Sequence, residues 1–244
     1  MATDYNEIAK EYQASKLLPW RINAEAYTFF NLIGDLNGKE VLDLACGEGF
    51  YSRQFKLRGA LSVTGVDISS EMISLARESE SQKPLGVAYY VADVLKLDLH
   101  HEYDVVCASY LLNYAKNADE LQQMLHVIAK HLKPGGKFVT INSNPEYTAD
   151  KSILRKYGFT RENFGTEDGS ETIYSLYLPD DGHIKITNYN LSRKLHQQAF
   201  EAVGFSDVIW SDIEVSPDGK KEFGEEYWND IIKSKPVSGI SARK

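Results

Sequence analysis

The sequence predicts an α/β fold: a doubly wound, mostly parallel sheet with helices on both faces. Three observations carry that expectation. Short apolar runs at 41–45, 63–67, 87–92, 103–108 and 137–142 alternate with longer stretches of helical spacing, the pattern of βαβ units. Right-handed crossovers then cover a parallel sheet on both faces. The first run also ends in Gly47-Glu48-Gly49, and such sheets open a ligand crevice at the carboxyl ends of their strands.

The elements follow in order. Residues 6–17 and 21–33 carry helical spacing, with Ile8, Tyr12 and Leu17, then Ile22, Ala26, Phe29, Phe30 and Ile33 on one face. Pro19 breaks between them, and residues 1–36 are expected to form an N-terminal helical lid. A cofactor-binding core is expected over 38–142. Its first strand leads to a helix at 50–58 closed by Gly59, and its second to "DISSEMISLARE", where a serine N-cap starts a helix burying Met72, Ile73, Leu75 and Ala76. A helix at 121–132 and the turn "KPGG" precede the fifth strand. Alternation then stops. Residues 143–190 read as an inserted cap containing a hairpin of 172–178 and 184–190 around Pro179-Asp180-Asp181-Gly182. Residues 191–244 supply a helix at 192–203, a strand at 205–213 and a last strand at 237–242. Two strands with no clearly amphipathic helix between them put one antiparallel member into the sheet. All 244 residues are expected to form one domain.

Composition narrows the function. With 43% hydrophobic and 25% charged residues the chain is ordinary for a globular protein. It has no apolar run near the roughly 18 residues that span a bilayer, so no membrane partner is expected. "MATDYNEIAKEYQ" has the character of neither a signal nor a transit peptide. A net charge of −8 and a pI near 5.3 argue against nucleic acid, whose phosphates need a concentrated basic surface. Cys46 and Cys107 lack metal-ligand or redox spacing; no metal is expected, and the cytoplasm is the expected compartment. A monomer or homodimer fits.

The glycine loop carries the chemistry. A dinucleotide site wants G-x-G-x-x-G facing a pyrophosphate. Here Ser52 stands at the third position, and Asp43 and Glu48 bring negative charge. A ligand with a cationic end tolerates these acids: opposite unit charges at ~4 Å gain about 4 kcal/mol at an effective dielectric of 20. S-adenosylmethionine (AdoMet) has both an ammonium and a sulfonium. Asp43 orders the loop or receives that ammonium; capping local amides is compatible with either.

"VLDLACGEGFYS" resembles the glycine-rich first motif of the class I AdoMet-dependent methyltransferases. "YYVADVLKL", "YDVVCASYLLNYA" and "LKPGGKFV" are similar to the family's later strand motifs. The resemblance implies a Rossmann-like, seven-stranded sheet and AdoMet as cofactor, with S-adenosylhomocysteine as product. It implies cofactor contacts from Asp43, Ala45, Cys46, Gly47 and Gly49, ribose binding by Asp67, adenine contacts from Ile68, Asp93 and Val94, and a further contact at Ser109. "YNEIAKEYQASKLLPWR" resembles the entry segment of small-molecule members. There Tyr12 closes over cofactor or acceptor and Arg21 pairs with the cofactor carboxylate; a core aromatic stripe and a surface arginine are the alternatives. The start and end of the chain are also similar to the group containing toxoflavin synthase, N-methyltransferases of planar heterocycles.

A small-molecule methyl acceptor is expected against Trp20, Asn113, Tyr114, Asn142 and Tyr174, in a tyrosine-rich surface suited to flat molecules. Methyl transfer runs on alignment, so no Ser/His/Asp arrangement or metal cluster is required; an oxygen acceptor usually has to lose a proton to a base, whereas a heteroaromatic or amine nitrogen attacks as it stands, and Tyr12 and Tyr114 are the candidates for contact with the reacting groups. None of the six histidines is placed to act: His183 falls at the hairpin turn and His196 on a late helix, while His100, His101, His126 and His131 should be solvated. The leading expectation is N-methylation of a planar heterocycle or amine. O-methylation, a non-catalytic AdoMet-binding module and an NAD(P)-dependent oxidoreductase are the rivals.

Overall fold

The computed structural model describes residues 3–178 and 182–244; Pro179, Asp180 and Asp181 of the expected turn lie outside the described residues. In chain order the strands are β1 (Glu40–Leu44), β2 (Ser62–Asp67), β3 (Val87–Val91), β4 (Tyr103–Ser109), β5 (Leu132–Ser143), β6 (Phe159–Asn163) and β7 (Ser170–Tyr177). They continue with β8 (His183–Asn190), β9 (Ser206–Asp212) and β10 (Val237–Arg243). Seven of them form one sheet in the order β3-β2-β1-β4-β5-β10-β9. β10 alone runs antiparallel to its neighbours β5 and β9, the one reversed member the sequence predicts. The chain reverses direction across the sheet at β1, which pairs with β2 on one side and β4 on the other. A ligand crevice opens at that switch point.

Both faces of this sheet are apolar, as two-sided cover requires. Val41, Val63 and Val139 pack with Phe29, Phe55 and Ile73 on one side. Leu42, Val66 and Val106 pack with Leu125, Ile128 and Phe200 on the other. The helices of the core are α3 (Phe50–Leu57), α4 (Ser70–Gln82), α5 (Ala118–Lys130) and α6 (Arg193–Val203). α4 starts where expected, its N-cap Ser69 accepting from the Met72 amide at 3.1 Å.

Several elements differ from expectation. The first helix is short, α1 (Ala9–Ser15), and the second divides into a π-helical turn (Arg21–Ala26) and α2 (Tyr27–Ile33). The cap is a three-stranded antiparallel sheet, β6-β7-β8, because "FTREN" pairs with β7 despite its polar sequence. Two helices, α7 (Pro217–Phe223) and α8 (Glu225–Ser234), stand between β9 and β10. α8 buries Trp228 and Ile231, an amphipathic stripe set in a run of charged residues. His131 is buried rather than solvated: its Nε2 accepts from the Leu99 amide at 3.1 Å and its Nδ1 lies 2.8 Å from the Val127 carbonyl. His183 opens β8 instead of sitting in the turn.

The N-terminal segment is tied to the core through one buried carboxylate. Glu25 accepts from the Tyr51 hydroxyl at 2.7 Å and the Tyr110 hydroxyl at 2.5 Å. Arg21 lies 3.5 Å away and Lys16 3.8 Å. Burial opposes its charge, but the Arg21 and Lys16 cations and the two hydroxyls hold Glu25 below the usual carboxylate range. Glu25→Gln leaves two buried cations short of their counter-ion and should cost about 3–5 kcal/mol, read as a drop in urea midpoint at constant m-value.

His196 is buried in α6, and burial holds its imidazole below the usual value. The unfolded chain therefore binds the extra proton first. Stability associated with this group is present above about pH 6.5 and is lost as the pH falls toward the lower native value. Between pH 7 and 5 the melting temperature of His196→Gln should fall less steeply than that of the wild type.

Candidate active site

The crevice at the carboxyl ends of β1, β2 and β4 encloses roughly 1040 Å³, its open mouth included. Its glycine loop follows β1 directly. Ala45 there adopts φ 55° and Gly47 φ 56°, a left-handed run that costs a non-glycine residue about 1–2 kcal/mol. Asp67, at the end of β2, holds this loop: its Oδ2 accepts from the Gly47 amide at 2.8 Å and its Oδ1 from the Ser69 amide at 2.9 Å. A carboxylate offers about four acceptor sites, so these bonds leave it capacity for a ligand. Burial raises the Asp67 carboxyl, against the three backbone amides that favour its charge.

Ile68, Asp93 and Val94 line the same crevice beside Leu95. Ile68 is 66% exposed and Leu95 40%, an apolar pair open to a planar ligand. Asp93 also caps the short 3₁₀ turn that follows β3, accepting from the Leu95 amide at 3.0 Å. Ser109 lines the crevice at the end of β4, and its buried hydroxyl has no partner.

Three expected loop residues lie elsewhere. Asp43 is buried beneath the loop and accepts from the Ser52 hydroxyl at 2.5 Å; burial pushes its carboxyl up to about 7. It therefore faces Ser52, not the crevice. Cys46 is buried, its amide bonded to the Val66 carbonyl at 3.0 Å. Gly49 heads α3 at φ 82°, where a Cβ would come within 2.3 Å of the Tyr89 hydroxyl, so packing demands that glycine. Glu48 is buried too and lines a separate surface groove with Lys16 and Arg53. The acids that do line the crevice are Asp67 and Asp93.

Beside the crevice lies a narrow pocket with about 20 Å³ of free space, sharing Tyr5, Tyr12, Tyr110 and Tyr114 with it. Trp20, Arg21 and Tyr174 line its inner part, with Leu176, Ile186 and Asn188 of the cap sheet. Arg21 is no surface residue: it is buried beside the rings of Tyr12 (5.2 Å) and Tyr110 (5.9 Å). Burial opposes its charge, yet Glu25 raises the guanidinium well above its usual value. Its Nε hydrogen has no acceptor. Asn113 and Asn142 do not line the pocket. The Asn113 amide bonds Ser143 Oγ at 3.1 Å, tying the turn after β4 to the end of β5; the Asn142 amide bonds Thr140 Oγ1 at 3.0 Å within β5, and its buried Oδ1 has no partner.

The N-terminal segment crosses the mouth. Thr3 Oγ1 accepts from the Thr187 amide of β8 at 2.9 Å, and Asn6 Oδ1 accepts from Ser69 Oγ at 2.8 Å. Between them the hydroxyls of Tyr5 and Tyr114 share a hydrogen bond. Burial raises Tyr5, Tyr110 and Tyr114 above the usual phenol range, so all three are protonated. Tyr5, Asn188 and the wall residues Met72 and Met124 escaped the sequence reading. Only Tyr5 left a signal there, as the first aromatic of the entry segment.

Comparison with known proteins identifies the fold and the family. A methyltransferase-domain family model matches residues 41–136. The chain is 30% identical to a ubiquinone biosynthesis O-methyltransferase of Coxiella burnetii over 180 residues, covering 71% of this chain and 75% of that one. A Klebsiella pneumoniae protein of the same name is 35% identical over 55% of this chain and 56% of its own length. The fold is shared with an S-adenosylmethionine-dependent methyltransferase of Mesorhizobium loti (TM-score 0.67, 17% identity, 94% of this chain and all of that one). It is also shared with DhpI in its SAM-HEP complex (TM-score 0.65, 18% identity, 98% and 94%). The chain belongs to the class I S-adenosylmethionine-dependent methyltransferases, the small-molecule family whose cofactor is AdoMet.

Proposed function

We propose that the chain binds AdoMet along the crevice and methylates a nitrogen of a small planar molecule brought against the tyrosines that the crevice shares with the narrow pocket. Asp67 takes the ribose hydroxyls on its free lone pairs, and Ile68, Val94 and Leu95 flank the adenine with Asp93 at its edge. Ala45, Gly47 and Ser109 face the methionine portion. The unpaired Arg21 Nε hydrogen, beside Tyr12, suits the cofactor carboxylate. AdoMet supplies an activated methyl carbon, which bonds to the acceptor nitrogen as the carbon–sulfur bond breaks and its electron pair leaves with sulfur.

One observation carries the choice of nitrogen. Among the described residues lining the pocket there is no histidine and no carboxylate, and three of its tyrosines, Tyr5, Tyr110 and Tyr114, are kept protonated by burial. A nucleophile that must first lose a proton finds no base there, whereas a heteroaromatic or amine nitrogen attacks as it stands. An N–H acceptor gives up its proton to solvent after transfer. O-methylation is the second reading, favoured by the name of the Coxiella and Klebsiella relatives.

Two experiments test this. With methyl-labelled AdoMet and acceptors offering both nitrogen and oxygen, the label should appear on nitrogen, with kcat flat from pH 6 to 9. Label on oxygen, with a rate rising tenfold per pH unit, would establish the second reading. Asp67→Ala should weaken S-adenosylhomocysteine binding at least tenfold in calorimetry, since charge-assisted hydrogen bonds contribute ~1.5–3 kcal/mol each. Unchanged affinity would remove Asp67 from the site.

A further inference from the structure

The four tyrosines shared by the crevice and the narrow pocket are not equivalent. Tyr12 and Tyr110 already face protein cations: Arg21 stands 5.2 Å from the first ring and 5.9 Å from the second, and Lys16 lies 5.2 Å from Tyr12. Over the rings of Tyr5 and Tyr114 there is no lysine or arginine among the described residues. The Tyr5 ring stands at 87° to Tyr12 and at 76° to Tyr114, with centroids 5.4 Å and 6.2 Å apart, so aromatic walls meet nearly at right angles. The Tyr5 and Tyr114 hydroxyls bond each other, and the Asn188 amide also bonds Tyr114. Thr3 and Asn6 tie down the chain on either side of Tyr5. Both rings are therefore held at the mouth.

The charge around them is one-sided. Asp67 and Asp93 line the crevice, and among its described lining residues there is no lysine, arginine or histidine. Burial raises the phenols of Tyr5 and Tyr114, and the Asp67 charge adds to it in both, which places that carboxylate within reach of the pair. Arg21, in the adjoining pocket, faces the Glu25 carboxylate. Aromatic faces without a protein cation, beside an acid, suit a cation brought by a ligand: the ring quadrupole attracts positive charge, more strongly where water is excluded.

We infer that Tyr5 and Tyr114 read the charge on the cofactor sulfur, their ring faces favouring the sulfonium of AdoMet over the neutral thioether of S-adenosylhomocysteine. With the ribose at Asp67 and the methionine portion at Gly47, the sulfur lies between them, beside the shared tyrosines. When the methyl carbon bonds to the acceptor nitrogen, the electron pair of the broken carbon–sulfur bond stays on sulfur and the positive charge passes to the acceptor. The attraction to the rings is lost in the product, so the two tyrosines set specificity for cofactor over product. The inference rests on the proposed seating of AdoMet and is independent of which acceptor atom is methylated.

Calorimetry with three ligands tests it: AdoMet, sinefungin, in which an ammonium replaces the sulfonium, and S-adenosylhomocysteine. Tyr5→Leu should lower affinity for AdoMet and for sinefungin about tenfold relative to that for S-adenosylhomocysteine, and Tyr114→Leu should act in the same direction. Tyr5→Phe keeps the ring and should keep the wild-type ratio. Melting temperatures without ligand establish that each variant is folded. A loss common to all three ligands reports packing alone and overturns the assignment, as does an unchanged ratio in both leucine variants. A ratio that falls as far in Tyr5→Phe as in Tyr5→Leu assigns the effect to the hydroxyl and overturns it too. If folded wild type gives no heat with any of the three, the seating of the cofactor fails first, a result distinct from the others.

Discussion

A single buried carboxylate, Glu25, organises the active end of this molecule. It lies where three parts of the chain meet: Lys16 and Arg21 from the lid, Tyr51 from the helix after the glycine loop, and Tyr110 from the end of β4. Burying one charge is costly, and it is tolerated here because every partner belongs to a different element. The result is positional. Arg21 cannot leave the carboxylate without exposing a bare charge, so its guanidinium stays beside Tyr12 and Tyr110. Tyr110 in turn keeps a left-handed backbone, φ 65°, a strain that persists only because the surroundings over-determine it.

From that anchor the site divides by chemistry. The open crevice has acids at the strand ends and apolar residues at its rim, suited to a nucleoside. The narrow pocket beside it has aromatic walls and the buried Arg21 guanidinium. The four shared tyrosines form the boundary between the two, which is where a methyl group has to cross. Because the cofactor brings the activation, what the protein must provide is distance and direction. A cap inserted between β5 and the later strands, pinned by Arg161 Nη1 donating to the carbonyls of Asn144 and Pro236, supplies the pocket's far wall without disturbing the sheet.

The core was largely legible in the sequence because buried parallel strands are written as short apolar runs, and the acids that end β2 and β3 follow those runs directly. Burial of polar side chains left no comparable mark. Asp43 and Glu48 read as charges offered to a ligand, yet both are sequestered beneath or behind the loop: Asp43 accepts from Ser52, and Glu48 is buried near the lid cations Lys16 and Arg21, whose approach the sequence does not show. Asn113 and Asn142 looked available for the same reason. The strand β6 was hidden by its charged residues, one of which, Arg161, is buried through main-chain carbonyls. The helices α7 and α8 were hidden by the charged residues that crowd the segment, although α8 buries Trp228 and Ile231.

The glycines of the loop look, in one dimension, like a ligand signature. In space the ring of Tyr89 occupies the room that side chains at both Gly49 and Gly65 would need. Gly47 has no such neighbour, its imagined Cβ touching only Met72 at 3.9 Å. Half of the motif is thus answerable to an aromatic residue on a strand two places away, before any nucleoside arrives. A mutational scan that scores bound ligand alone would misattribute damage at Gly49 to recognition, when the first casualty is the fit between the loop and the third strand.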